Sequence, residues 1–327
     1  MNNLSTSLGD DFYEWVNSNS TQKKFIKGQC LVKGGEAIEY LYYSDKVQGE
    51  YQIYDKGNKL VKLENLEPLE LSSFDSLLTL SPPIANIIST SDRMYIQIPA
   101  QKFIKYIESP NSIENNFLVN YAKILSRKIQ LRNDLLINRQ KEEIVELKKI
   151  LLFFGDLDEL DIAWLQKVGK HLTFKNNQIF IEENKNVPFI YIILSGSTNI
   201  FISRGGKNIN VGLASKGEIL GEMSLLLSKG AQDLATASVV AVENADVLAI
   251  DKKLLRQKLM KDKGFAFRFY LSITRMLSFR LRDQLISSGL GIRSNNLDID
   301  NDELDFEILS KLTSAGNKFD SFCRRYY

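Results

Sequence analysis

Two stretches of the chain change their hydrophobic period in the same order, from helical to alternating and back to helical. The clearer one begins with IVELKKILLFFGDLDELDIAWLQKVGK, residues 144–170, where apolar residues recur at helical spacing. Leu157, Leu160, Ile162 and Leu165 read as one side of a short helix. Asp156 and Asp158 precede it, where negative charge suits a helix start. Over 172–250 the period shortens. QIFIEE, FIYIIL, STNIFIS, NINVGL, TASVVAV and DVLAI are β-rich runs separated by glycine- and asparagine-rich turns, the pattern of a sandwich or barrel. KKLLRQKLMKD at 252–262 returns to helical spacing. A longer helix is expected over about 264–287, with Phe265, Phe269, Ile273, Leu277, Leu281 and Leu285 four residues apart.

The earlier stretch repeats this order. Strand-like runs occupy 23–98, and KFIKYIE at 102–108 corresponds to KKLLRQKLM. A long helical stretch over 112–147 holds Ile113, Phe117, Tyr121, Ile124 and Leu125, with a break expected near Asn133 or Asn138. The internal repeat is the main organising fact. The expected division is a first domain over 1–110, a helical linker over 111–150, a second domain over 151–289 and a tail over 290–327. The tail carries a dense acidic run, Asp298, Asp300, Asp302, Glu303, Asp305 and Glu307, read by default as a solvated linker. Within it, ELDFEILSKL is a candidate for one short helix, with docking on a partner as its role.

Composition narrows the chemistry. With 327 residues, 44% hydrophobic and 25% charged, the balance is that of a soluble globular protein of two ordinary domains. A net charge of +2 is too small to imply a nucleic-acid or anionic-membrane surface. Cys30 and Cys323 lie too far apart to suggest a disulfide framework, so a reducing compartment is expected. The start, MNNLSTSLGDD, lacks the basic head and apolar run of a signal peptide. No apolar stretch approaches the ~20 residues of a membrane helix. A cytoplasmic protein is expected. One histidine and two cysteines cannot assemble a zinc site of Cys₄, Cys₂His₂ or His₃ type, and no metal is expected. His171, in GKHLTF, reads as a boundary histidine with a satisfied hydrogen bond rather than a catalytic base. GGKNIN at 205–210 reads as a Gly-Gly turn between strands. Asp156, Asp158, Glu159 and Asp161 read as a solvated first helical turn rather than a metal cluster. No catalytic residue and no cofactor is expected.

Residues 151–285 resemble the cyclic-nucleotide-binding domain family, in the order lead-in helix, β-roll, hinge helix and long final helix. QIFIEENKNVPFIYIILSGSTNIFI is similar to the start of the family's roll. Tyr191, Ile192 and Gly196 fit its pattern, and Asn184 stands where glycine is usual. KGEILGEMSLLLSKGAQDLATASVVAVENADVLAI resembles the family's phosphate-binding cassette. The resemblance implies an α+β protein of two tandem β-rolls, each a jelly-roll-like antiparallel barrel with flanking helices and a long C-terminal helix. It implies that Glu222 takes the ribose 2′-hydroxyl, and that the helix edge formed by Gly221, Glu222, Met223 and Ser224 holds the cyclic phosphate. Of the family's Arg-x-Ala-Ser/Thr-Val, Ala237 and Ser238 survive, but Ala235 stands at the arginine position. A lost charged bond of roughly 1.5–3 kcal/mol corresponds to about tenfold or more in affinity. Lys229 in the same loop is a candidate substitute. In the first copy Ser73 and Phe74 replace Gly-Glu and Pro83 replaces the arginine, so no family-type nucleotide site is expected there.

The expected function is that of a non-enzymatic regulatory protein whose second roll senses cyclic AMP, cyclic GMP or a related nucleotide and acts through a protein partner. By resemblance the segment 264–285 transmits the signal, with Thr274 and Ser278 as lid contacts. The alternative is a structural or adaptor protein in which both pockets are vestigial. The stripe over 265–285 is similar to the family's dimer helix, so homo-oligomer formation and packing within one chain are both open. No paired-helix DNA-reading pattern follows the long helix, so DNA binding is not expected, and transcription control rests on family analogy alone.

Overall fold

The computed structural model describes residues 10–44, 46, 49–55, 59–68, 70–108, 115–135, 153–228, 233–287, 290 and 306–326. Its contacts divide the chain into two units, Met1–Glu143 with Leu277–Asp300, and Ile144–Met276 with Asn301–Tyr327.

Alternating burial builds the first unit. A short helix α1 (Asp10–Asn19) leads into strands β1 (Thr21–Phe25), β2 (Cys30–Val32), β3 (Tyr40–Tyr43), β4 (Gly49–Tyr54) and β5 (Leu60–Asn65). Helix α2 (Phe74–Leu78), β6 (Asn86–Ser89), β7 (Arg93–Pro99), α3 (Ala100–Glu108) and α4 (Asn115–Leu135) follow. The strands form two antiparallel sheets, β1-β7-β3 and β2-β6-β4-β5. In β4 the inward residues Tyr51 and Ile53 alternate with more exposed ones, as a strand with one covered face requires. They join Phe25, Tyr42, Leu66, Ile87 and Tyr95 in the roll's core.

The second unit repeats the plan. Helix α5 (Glu159–Val168) precedes β8 (Lys170–Phe174), β9 (Ile179–Ile181), β10 (Phe189–Ser195), β11 (Ser197–Arg204), β12 (Lys207–Ser215) and β13 (Ile219–Leu220). Then come α6 (Glu222–Leu226), β14 (Ser238–Ala241), β15 (Ala245–Asp251), α7 (Lys252–Lys261) and α8 (Lys263–Ser287), the last of which belongs to this unit up to Met276. The sheets are β13-β10-β15-β8 and β12-β11-β14-β9, again antiparallel throughout. The unbroken apolar run of β10 is buried over Ile190–Leu194, which explains why it shows no alternation. Gly205 and Gly206 both take positive φ, 57° and 75°, in the two-residue turn joining β11 to β12, as expected for GGKNIN.

The same backbone hydrogen bonds recur in both rolls. Gly28 N–H donates to Ser89 O at 2.8 Å, as Asn177 N–H does to Ala241 O at 2.8 Å. Gly35 N–H donates to Pro83 O at 2.7 Å, as Asn184 N–H does to Ala235 O at 2.9 Å. Ala100 N–H donates to Glu39 O at 2.9 Å, as Lys252 N–H does to Pro188 O at 2.9 Å. Both units are therefore β-rolls of one plan, and Pro83 is equivalent to Ala235, as Ala100 is to Lys252. Asn184 adopts φ 63°, so asparagine fills the left-handed position that Gly35 fills in the first roll.

Four sequence readings are corrected. Leu160 is 80% exposed, whereas Leu157, Ile162 and Leu165 are buried. At 100° per residue, positions 160 and 162 cannot share a helix face. The long helix does not break at Asn133, whose side chain accepts from Gln284 Nε2 at 2.5 Å; Asn138 lies outside the described residues. The C-terminal helix, α9 (Phe306–Cys323), is longer than one short segment. Its Phe319 and Phe322 rings lie 4.9 and 5.1 Å from that of Phe154, and Lys318 donates to Leu157 O at 2.8 Å. Most of the acidic run before it lies outside the described residues. The lead-in reading holds at Asp158, which caps α5 reciprocally with Asp161. Asp161 is not part of a solvated turn: it is 2% exposed and receives a bidentate pair from Arg268, at 2.5 and 2.9 Å, so this carboxylate is spent on helix packing. Among the described residues no group of acidic, histidine or cysteine side chains could hold a metal. Nor is any described helix long and apolar enough to cross a membrane.

A buried ionic network fixes α4 in the first unit. Lys128 pairs with Glu70 and, at 3.7 Å, with Glu64, and its ammonium lies 3.9 Å from the Tyr51 ring centre. Arg132 pairs with Glu64 and donates to Leu281 O at 3.2 Å, and Tyr51 donates to Glu70 at 2.7 Å. Burial works to raise the Glu64 carboxyl, but Arg132 and Lys128 outweigh it and hold it below its ordinary value. Removing one partner strands the others. Lys128→Met is expected to cost roughly 3–5 kcal/mol. Urea unfolding of the first unit, followed through Trp15 in a Trp164→Phe background, measures it.

Candidate functional site

The second roll's candidate site is built on a left-handed turn at Gly221. Gly221 adopts φ 83°, and a Cβ there would lie 2.8 Å from Phe189 O. Ser224 Oγ donates to Gly221 O at 2.9 Å and itself accepts from Lys252 Nζ at 2.6 Å. Glu222 is 2% exposed and Met223 half-buried. Thr236 Oγ1 lies 4.0 Å from the Met223 sulfur.

The strand side supplies the rest. Ala235 is buried in the apolar cluster of Val187, Tyr191, Leu220 and Val239, and its N–H donates to Lys185 O at 2.8 Å. Ala237 is half-buried, and Ser238 Oγ accepts from Glu183 N–H at 2.9 Å. The structure thus gathers Gly221, Glu222, Met223 and Ser224 on one turn and helix, with Ala235, Ala237 and Ser238 on the segment entering β14. Thr274 spends its hydroxyl on Tyr270 O of its own helix, at 2.6 Å. Ser278 is fully buried. Lys229 lies outside the described residues. His171 is the second residue of β8, its Nε2 3.4 Å from Asp246 and its ring 5.6 Å from that of Tyr326.

Sequence reading missed three charged residues at the site. Lys252, the first residue of α7, is 1% exposed. Burial pulls its ammonium down to about 8, against the attraction of Asp233 and then Glu222, and Arg256 lowers it further. Arg256 grips Asp233 with two bonds, of 2.6 and 2.9 Å. Burial works to raise the Asp233 carboxyl, but hydrogen bonds from Arg256 and Ser228, with the charges of Lys252 and Arg256, keep it below its ordinary value. A lysine in LAIDKKLL gives no sign of burial, because lysine is ordinarily a surface residue.

The equivalent place in the first roll is filled differently. Ser73, at φ 58°, takes the turn position, and Phe74 takes that of Glu222. Phe74 is fully buried, its ring 5.3 Å from Phe103, 5.6 Å from Phe117 and 4.8 Å from Tyr121. Pro83 offers neither charge nor N–H.

Residues 171–262 match the sequence model of the cyclic nucleotide-binding domain, so the second roll, from β8 to the end of α7, is assigned to that class. Among solved structures, the chain resembles the cAMP-bound regulatory domain of Toxoplasma gondii PKA at 16% identity. That match covers 79% of this chain and 88% of that one, with a TM-score of 0.31. It also resembles the regulatory subunit of a cAMP-independent protein kinase A from Trypanosoma brucei, at 16% identity over 75% and 82% of the two chains and a TM-score of 0.29. A cyclic nucleotide-binding domain from Methylobacillus flagellatus matches at 18% identity, over 43% of this chain and 80% of that one, with a TM-score of 0.38. No curated protein matches the sequence.

The Gly221 turn carries a direct test. Gly221→Ala forces a left-handed Cβ against the Phe189 carbonyl and is expected to destabilise the second unit by about 2 kcal/mol or more. Trp164 fluorescence during urea unfolding, with Trp15 replaced by phenylalanine, reads the loss.

Proposed function

We propose that the protein is a non-enzymatic regulator whose second roll, within a domain spanning 151–289, binds a cyclic nucleotide and acts through contacts with a protein partner. The match of residues 171–262 to the cyclic nucleotide-binding domain is the observation that supports this reading. Gly221, Glu222, Met223 and Ser224 are the proposed contacts to sugar and phosphate, with Ala235, Ala237 and Ser238 opposite. Glu222 suits the sugar because a carboxylate accepts hydroxyl hydrogens and offers none. Cyclic AMP and cyclic GMP are the ligands to try first. Affinity is expected to be modest, because Ala235 brings no charge to the phosphate.

A second reading, an adaptor with vestigial pockets, is favoured by the apolar plug of Phe74 in the first roll and the apolar setting of Ala235 in the second. The first roll is proposed to serve in that way whichever reading holds for the second. Self-association through the stripe over 265–285 is not favoured, because Phe265, Phe269, Ile273, Leu277, Leu281 and Leu285 are all buried within one chain.

Calorimetry of the full chain against cyclic AMP and cyclic GMP separates the readings. Saturable heat that Glu222→Ala abolishes is the expected outcome. No heat up to millimolar nucleotide would leave the adaptor reading standing.

A further inference from the structure

Lys252 is buried although lysine is rarely buried without a partner, and its neighbours Lys253 and Leu254 point to solvent. Its ammonium is the last link of a chain. It donates to Ser224 Oγ at 2.6 Å, and Ser224 Oγ donates to the carbonyl of Gly221 at 2.9 Å. Two carboxylates, Asp233 and Glu222, attract it, and Arg256, one turn further along α7, repels it. Asp233 is already gripped by Arg256 through two bonds. The set is balanced, two cations from α7 against one carboxylate from α6 and one from the loop before β14.

The two rolls supply an internal control. The position equivalent to Lys252 is Ala100, held by the same backbone bond and equally buried. The position equivalent to Glu222 is Phe74. The roll with the carboxylate has the lysine; the roll without the carboxylate has an alanine, and aromatic rings fill the space. A lysine kept only to pack α7 would have no reason to appear with the glutamate.

We propose that Lys252 is the positioning residue of the second cassette, holding the Gly221–Ser224 turn and the Glu222 carboxylate in their binding arrangement from the first residue of the hinge helix. This rests on the reading of the second roll as a nucleotide site. It makes α7 a direct sensor of the cassette, because whatever moves Ser224 or Glu222 alters the hold on Lys252.

The charge on Lys252 separates positioning from packing. Its folded-state value of about 8 lies below that of a free lysine, so between the two the unfolded chain binds more protons than the native one. Stability therefore rises as pH increases through that window. Nucleotide affinity moves the other way, because the neutral amine no longer attracts Glu222. A residue that merely stabilised the roll would move both together.

The test is calorimetric titration of the full chain with cyclic AMP from pH 6.5 to 9.5, for the wild type, Lys252→Met and Lys252→Arg. The wild type is expected to bind roughly tenfold more weakly at the alkaline end. Lys252→Met should bind at least as weakly at every pH, and Lys252→Arg should keep its affinity at high pH. Wild-type affinity that is flat with pH, or a Lys252→Met protein that binds like wild type, overturns the positioning role alone. Absence of heat from the wild type at every pH overturns the nucleotide reading with it. If Lys252→Met does not fold, the wild-type and Lys252→Arg profiles decide. A urea double-mutant cycle of Glu222→Gln with Lys252→Gln, without nucleotide, adds an independent reading. It should show coupling of several-fold or more in the unfolding constant, and additivity overturns the proposal.

Discussion

An ammonium taken out of water must be answered by opposite charge or hydrogen-bond acceptors nearby, or the fold that buries it loses several kcal/mol. Under α6 that requirement organises the second roll. Lys252 bonds Ser224, and its field meets Asp233 and Glu222, while Asp233 also binds Arg256. The cassette turn, the loop before β14 and the first turn of α7 are thereby fixed to one another by charge. The glycine at 221 makes this possible by letting the chain pass close under Phe189 O.

The first roll meets the same backbone plan with the opposite chemistry at this place and spends its buried charges elsewhere. Phe74, Phe103, Phe117 and Tyr121 form a closed aromatic cluster where the second roll has a carboxylate and a lysine. Its ions instead join α4 to the roll through Glu64, Glu70, Lys128 and Arg132. At the place of Glu222 the aromatic cluster presents no carboxylate to a ligand hydroxyl. In the proposed reading the two copies divide a scaffold role from a binding role.

The strands and helices were largely legible because each follows its own period. The alternation of β4, the buried run of β10 and the four-residue spacing of α8 all appear in the sequence. Strand β13 was not legible, because two residues carry no period. Leu160 was misplaced because a list of apolar residues is not yet a face; the angle between 160 and 162 decides it. The candidate site was legible where backbone geometry favours the residue, at the left-handed Gly221, and where a short motif is retained, at Ala237-Ser238. Lys252 was hidden, since burial of a lysine depends on residues 28 and 30 positions earlier. Comparing the copies residue by residue, Ala100 against Lys252 and Phe74 against Glu222, is the signal that could have found it.

The division of roles between the rolls is tested most directly by hydrogen–deuterium exchange of the full chain with and without saturating cyclic AMP. The account predicts slower exchange over 219–226 and over 252–261, with no change over 71–78. Slower exchange in the first roll's cassette, or no change in either roll, would contradict it.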